Sequence, residues 1–245
     1  MSVVGEMDDV DETLEDLPPF APPYVLGGSC LVAVGLWSGE AAVPAGFRPV
    51  RLFGRPIAVV IANHYTEPPS ELPIRYHEVI SASLARRGTT VVAAPFDMVL
   101  DERVPVALGR LHYGMPKRFD ATLLVENAVE NAGAQSATSF SATARDLEIH
   151  GRFLGPLASA LALPIRLAFA LAVRAITATI DVTGAAYPPA RRARIALAPR
   201  GVGTGARIET CIAKGQTLHP LWCQSWDFTS TNLGAPHPID PERTP

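Results

Sequence analysis

A mainly β fold (α+β in class), an antiparallel sheet closed on itself as a barrel with a few short helices, is what three observations predict for this chain of 245 residues. Short apolar runs recur along its length, the turn signals between them fall at irregular intervals with no internal repeat, and few stretches carry a convincing helical period. Closure is the most economical arrangement for so many strands because it leaves no edge unpaired. One domain of this length buries roughly three quarters of the surface its unfolded chain exposes. The 48% apolar and 18% charged composition is that of a globular protein and excludes bulk disorder.

Residues 1–24 read as an acidic, proline-rich flexible arm. Seven acids (Glu6, Asp8, Asp9, Asp11, Glu12, Glu15 and Asp16) stand in the first sixteen positions, and no basic residue precedes Arg48. Pro18, Pro19, Pro22 and Pro23 then make an extended linker. No apolar signal-peptide core opens the chain, so a cytoplasmic location is expected. A single domain over 25–235 follows, then a loose tail over 236–245.

Within the domain, Cys30–Leu36 and Ile57–Ala62 read as buried strands. Ile74–Leu84 reads as a third, whose alternation puts Ile74, Tyr76, Glu78 and Ile80 on one face and Arg75, His77, Val79 and Ser81 on the other. If the first face is buried, Glu78 has to be paired or protonated, because an isolated buried carboxylate is costly. If that face is solvated, Glu78 is an ordinary surface acid. Thr89–Ala94 is a further strand, Asp101 a cap for a short helix through Val104–His112, and Gly114 and Pro116 its end. Ala121–Val125, Ser139–Ala144, Leu147–His150, Arg194–Ala198, Arg207–Ala213 and Leu221–Phe228 complete the strands. Phe153–Ile180 is rich in alanine and leucine and reads as a loop plus a buried helix or a pair of buried strands. Arg166 and Arg174, with Pro156 and Pro164, count against a membrane span, since an arginine near a helix centre costs roughly 2.5–3.5 kcal/mol on insertion scales.

Charge and motifs narrow the function classes. Outside the arm the chain is mildly basic, which suits a small anionic substrate, but its bases are scattered and nucleic acid is not an expected partner. Cys30, Cys211 and Cys223 are odd in number and show no C-x-x-C spacing, so neither a disulfide framework nor a structural metal site is expected. No G-x-G-x-x-G, phosphate loop, H-E-x-x-H or nucleophile elbow appears, and the expected chemistry needs no cofactor.

Lysine usage is the sharpest signal. Only Lys117 and Lys214 occur, so nineteen of the 21 bases are arginines. A lysine kept in Gly114-Met115-Pro116-Lys117-Arg118, within an otherwise apolar stretch, marks a position where a guanidinium does not serve. An amine can lose its proton and attack a carbonyl; a guanidinium cannot.

The segment Leu100-Asp101-Glu102, Val106-Ala107-Leu108-Gly109-Arg110 and Tyr113-Gly114-Met115-Pro116-Lys117-Arg118 resembles the approach to the active-site lysine of the acetoacetate decarboxylase family. Tyr76-His77-Glu78 is similar to that family's Tyr-x-Glu on a strand facing the same cavity. The resemblance implies a closed, cone-like antiparallel β-barrel assembled into homo-oligomers. It implies a lyase in which Lys117 forms a Schiff base with a keto acid or other carbonyl substrate, Glu78 acts as general acid and base, and Arg118 exerts a secondary electrostatic influence. Burial is expected to act on the amine more strongly than Arg118, whose side chain leaves on the opposite face. Tyr76, Tyr113, Met115 and Asn63 are the candidate substrate contacts.

Three departures shift the implied substrate away from acetoacetate. The family's early-strand arginine, which engages the substrate carboxylate, has no counterpart in the apolar Cys30–Leu36. A second acid expected near Ile57–Ala62 is missing, with Asn63 and His64 the nearest polar groups. Arg118 stands where the family has a second lysine. A carboxylate anchor would have to come from a distant position such as Arg152 or Arg166. Decarboxylation, aldol and dehydration chemistry all remain open. So does an alternative in which the barrel is non-catalytic, binding a hydrophobic carbonyl ligand or acting as an assembly partner.

Overall fold

The computed structural model describes residues 25–69, 73–126, 139–154, 180–184, 191–232 and 237–238. Within them the chain forms β1 (Val25–Trp37), β2 (Arg48–Pro49), β3 (Arg51–Leu52), β4 (Arg55–Glu67), β5 (Tyr76–Arg87) and β6 (Thr90–Leu100). The helix α1 (Arg103–Tyr113) comes next, followed by β7 (Lys117–Phe119), β8 (Leu124–Glu126), β9 (Ser139–Ala144), β10 (Leu147–Phe153) and β11 (Ile180–Gly184). The last strands are β12 (Arg191–Ala213), β13 (Gln216–Asn232) and β14 (His237–Pro238). The expected acidic arm, the tail beyond Pro238 and nearly all of the alanine-rich block lie outside the described residues.

All the strands belong to one sheet, ordered β11-β6-β5-β4-β1-β13-β12-β10-β9-β8, with β2, β3, β7 and β14 attached beside it. Neighbours from β6 through β12 along this order run antiparallel, whereas β7 and β11 each pair with β6 in parallel. The closed barrel with a few short helices that the sequence predicts is not what forms. The sheet curls through 275° and stays open, its edges 12 Å apart, and α1 is the one helix among the described residues. The pairing pattern explains the gap. Strand β11 pairs with β12 over five residues but meets β6 through a single pair, Val182 with Ala93, which is too little to make a seam. The far half of β12 meanwhile carries β10, β9 and β8 away from the curl.

Both faces of the central strands are covered, which is why β1 is apolar at nearly every position rather than alternating. Leu31 and Ala33 of β1, with Ala58, Val60 and Ala62 of β4, pack against Phe140, Ala142, Leu147, Ile149 and Ala213 from the β9–β10–β12 flap. The opposite, concave face gathers Cys30 and Val32 with Tyr65, Tyr76, Met98, Leu100, Tyr113, Met115, Trp222, Trp226 and Phe228. On this concave face of β5 lies Glu78, flanked by Tyr76 and Ile80, and it is 2% exposed. No helix among the described residues is long and apolar enough to cross a membrane.

Candidate active site

Strand β7 is short, and its placement depends on what precedes it. Helix α1 ends at Gly114, whose φ of 61° and ψ of 25° lie in the left-handed region that glycine occupies without strain. The N–H groups of Gly114 and Met115 return to the carbonyls of Arg110 and Gly109. Lys117 N–H then bonds the Met115 carbonyl at 2.8 Å across Pro116, a three-residue turn that swings the chain onto β6. In the parallel pairing Lys117 lies beside Met98, Arg118 beside Val99 and Phe119 beside Leu100. Arg110 fastens the arrangement from the helix, its Nε donating to the Lys117 carbonyl at 2.7 Å.

This register sends Lys117 and Arg118 to opposite faces of the sheet. The Lys117 Nζ enters the concave face and stands 2.7 Å from Oε1 of Glu78, with Lys117 9% exposed. The pair is ionic in distance, although among the described residues Oε1 accepts no aligned hydrogen bond; Oε2 accepts the Tyr65 hydroxyl at 3.1 Å. Asn63 Nδ2 donates in turn to the Tyr65 oxygen at 3.2 Å. Burial first, and the Glu78 charge second, hold the Tyr65 phenol well above its ordinary range, so it remains a donor. Four strands therefore converge here, because Asn63 is the β4 partner of Glu78 and Leu100 its β6 partner.

Gly109 makes room for the lysine stem. A Cβ at that position would overlap Cδ and Cε of Lys117. Replacement of Gly109 by alanine therefore has effects of opposite sign. The helix gains about 0.8–1.0 kcal/mol of intrinsic propensity. The amine is pushed off its place beside Glu78. Thermal melting of Gly109→Ala checks the balance, and an equal or higher Tm is expected.

Arg118 joins a different cluster. Its Nε donates to Asp97 Oδ1 at 3.0 Å and its Nη1 to Asp120 Oδ2 at 3.4 Å, while Lys214 Nζ approaches Asp97 Oδ1 at 3.2 Å. Burial disfavours the guanidinium charge, but the Asp97 hydrogen bonds and the charges of Asp97 and Asp120 outweigh it and raise Arg118 above its ordinary value. With two carboxylates around two bases, little of that charge is left to act on Lys117.

The other residues singled out by the sequence divide between site and periphery. Tyr76, Tyr113 and Met115 are buried in the apolar cluster of that face, and Tyr76 packs on Tyr65 with ring centroids 4.6 Å apart. His77 points away from Glu78 and bonds Asp101 through both its backbone N–H and its ring Nδ1, each at 2.7 Å, while its ring stacks on His64 at 4.3 Å. Asp101 is thus committed to β5 and does not cap α1. The N-cap is Glu102, without a side-chain hydrogen bond. Arg152 is exposed and paired with Glu209 at 3.1 Å, so it supplies no anchor at the amine; Arg166 lies outside the described residues. Sequence reasoning missed Tyr65 and Gly109. The signal for Tyr65 was the alternation continuing past Ala62 through Asn63, which a search for apolar runs cuts short. Among the described residues no group of three or more histidine, cysteine or acidic side chains could hold a metal ion, and the three cysteines are buried free thiols.

No family model matches the sequence, and no curated protein matches it. Solved structures do. The enduracididine biosynthesis enzyme MppR complexed with pyruvate superposes with a TM-score of 0.60 at 10% identity, over 91% of this chain and 93% of that one. The same enzyme complexed with the condensation product of pyruvate and imidazole 4-carboxaldehyde gives 0.55 at 11% identity, over 91% and 92%. A structure of acetoacetate decarboxylase gives 0.60 at 12% identity, over 91% of each chain. Likeness at such low identity concerns the fold, and the chain has the acetoacetate decarboxylase-like fold across most of its length.

Proposed function

We propose that this chain is a carbonyl-processing enzyme of the lyase type, in which Lys117 forms a Schiff base and Glu78 moves the protons. The observation that carries the reading is the buried Lys117–Glu78 contact at 2.7 Å, set in an apolar concave wall and steadied by the Tyr65 hydroxyl. In a chain with two lysines, a structural cation had nineteen arginine precedents; an amine in this position is a chemical choice.

The steps follow from the groups present. Glu78 takes a proton from the Lys117 ammonium and leaves a neutral amine whose lone pair attacks the substrate carbonyl carbon. The carbonyl oxygen takes a proton and becomes the hydroxyl of a carbinolamine. That hydroxyl leaves as water after a second protonation, and the nitrogen remains as a protonated imine. This cation then accepts the electron pair of a bond on the adjacent carbon, whether to carboxylate, to hydrogen or to another carbon. Glu78 is the group within reach to return a proton to that carbon. Tyr65, kept protonated by burial, holds the carboxylate in place throughout. MppR, which shares the fold, is complexed with pyruvate, a carbonyl compound of the class proposed here.

Borohydride trapping tests the reading. The protein is incubated with a panel of ketones, aldehydes and keto acids, reduced, digested and mapped by mass. A reduced adduct on Lys117, absent in Lys117→Met, is expected; labelling confined to Lys214, or none with any carbonyl, overturns the proposal.

A further inference from the structure

The indole of Trp222 is 6% exposed and belongs to the apolar cluster that also holds Tyr76 and Met115, yet its Nε1–H has no hydrogen-bond partner among the described residues. Buried donors left unpaired are rare, and a buried tryptophan N–H usually finds an acceptor. We propose that this N–H receives an uncharged oxygen of the substrate and so makes Trp222 a specificity-determining residue. For the direction of the bound molecule the proposal rests on Lys117 being the nucleophile.

Strand register gives the offset of the two ends along the strands, and three strand spacings also separate β13 from β5 across the sheet. Trp226, Cys30, Asn63, Glu78 and Leu100 form one cross-strand row running from β13 through β1, β4 and β5 to β6. Trp222 pairs with Val34, four residues further along β1 than Cys30, which is roughly 13 Å at the rise of an extended strand. Val32, Ile61 and the Trp226 ring belong to the wall around that interval, and the two indoles lie 5.8 Å apart. The ligand proposed to span this interval is an elongated, mainly apolar molecule. Its reactive carbonyl sits at the Glu78 row and a second oxygen lies by the Trp222 row, about 10–13 Å further along the strands.

Charge decides what kind of oxygen. Among the described residues Lys117 is the one buried base, and Glu78 already balances it. A carboxylate set against the Trp222 indole would be buried with no cation to match it, which is prohibitive. A hydroxyl, ether or carbonyl oxygen needs only one neutral donor. The substrate class that follows is an extended aldehyde or ketone with an aromatic or aliphatic body and a distal uncharged oxygen. The apolar β1 fits this reading, because a distal oxygen of that kind needs no arginine there.

Indole NMR tests this apart from catalysis. The chain has three tryptophans, Trp37, Trp222 and Trp226, so a protein labelled with ¹⁵N at the indoles gives three Nε1–H signals, assignable by single replacements with phenylalanine. The probes are a methyl ketone carrying a para-hydroxyphenyl group on a two-carbon tether, and the same ketone without the hydroxyl. The hydroxylated ketone is expected to move the Trp222 signal downfield and to bind about tenfold tighter than its partner, the worth of one neutral hydrogen bond. Trp222→Phe, checked for an unchanged melting profile, should erase that difference. An unmoved Trp222 signal, an undiminished preference in Trp222→Phe, or no binding of either ketone overturns the proposal. Movement of Trp222 without a trapped adduct on Lys117 would overturn the Schiff-base reading and leave this one standing.

Discussion

With Glu78 as the proposed general acid and base, Glu78→Gln is expected to lower turnover by roughly a hundred- to ten-thousand-fold. Glutamine keeps the shape of the side chain and an acceptor for the Tyr65 hydroxyl but cannot take the ammonium proton from Lys117. Imine formation slows for the same reason, so trapping under single-turnover conditions falls together with kcat. The fold is expected to survive, because glutamine fills the same volume and its amide oxygen still accepts the Tyr65 hydroxyl. Parallel assays of trapping rate and turnover check the result; a glutamine variant with wild-type rates would remove Glu78 from the mechanism.

The largest expected stability effect lies on the other face. Asp97 is 1% exposed and holds both Arg118 and Lys214. Asp97→Asn strips the charge that faces a half-buried guanidinium unable to deprotonate. Breaking a buried pair by removing one partner costs about 3–5 kcal/mol. The lower end applies, since Asp120 still contacts Arg118 and part of its side chain reaches water. About 3 kcal/mol corresponds to a Tm lower by about 6–12 °C for a domain of this size. Calorimetry on Asp97→Asn decides it, and a Tm within a degree or so of wild type would mean that the cluster contributes little.

How much of this was legible depends on how far apart the interacting residues lie. The opposite facings of Glu78 and His77 follow from the two-residue period of a strand, and the sequence alone shows them. The turn into Lys117 is equally local, written in Gly114 and Pro116. Long-range choices are not visible in the same way. Asp101 has the chemistry of a helix cap, yet the His77 N–H and ring, 24 positions away, claim its carboxylate. Arg194–Ala198 and Arg207–Ala213 read as two strands because Pro199 and three glycines separate them. The chain instead runs through as β12, with its register to β13 shifting between Arg200 and Thr204. Proline and glycine there mark an irregularity in a long strand rather than its end. Whether the sheet closes turns on the thin contact between β11 and β6, and no periodicity in either strand encodes that. The resemblance around Lys117 carried the right fold but not its closure.

The scarcity of lysine makes the central claim directly measurable. In protein labelled with ¹⁵N at the lysine side chains and carrying Lys214→Arg, Lys117 is the single remaining lysine nitrogen. Adding a carbonyl substrate is expected to move that signal from the amine region to the imine region of the spectrum, and reduction by borohydride to lock it as a secondary amine. A Lys117 nitrogen that stays an amine in the presence of bound carbonyl compound would contradict the account.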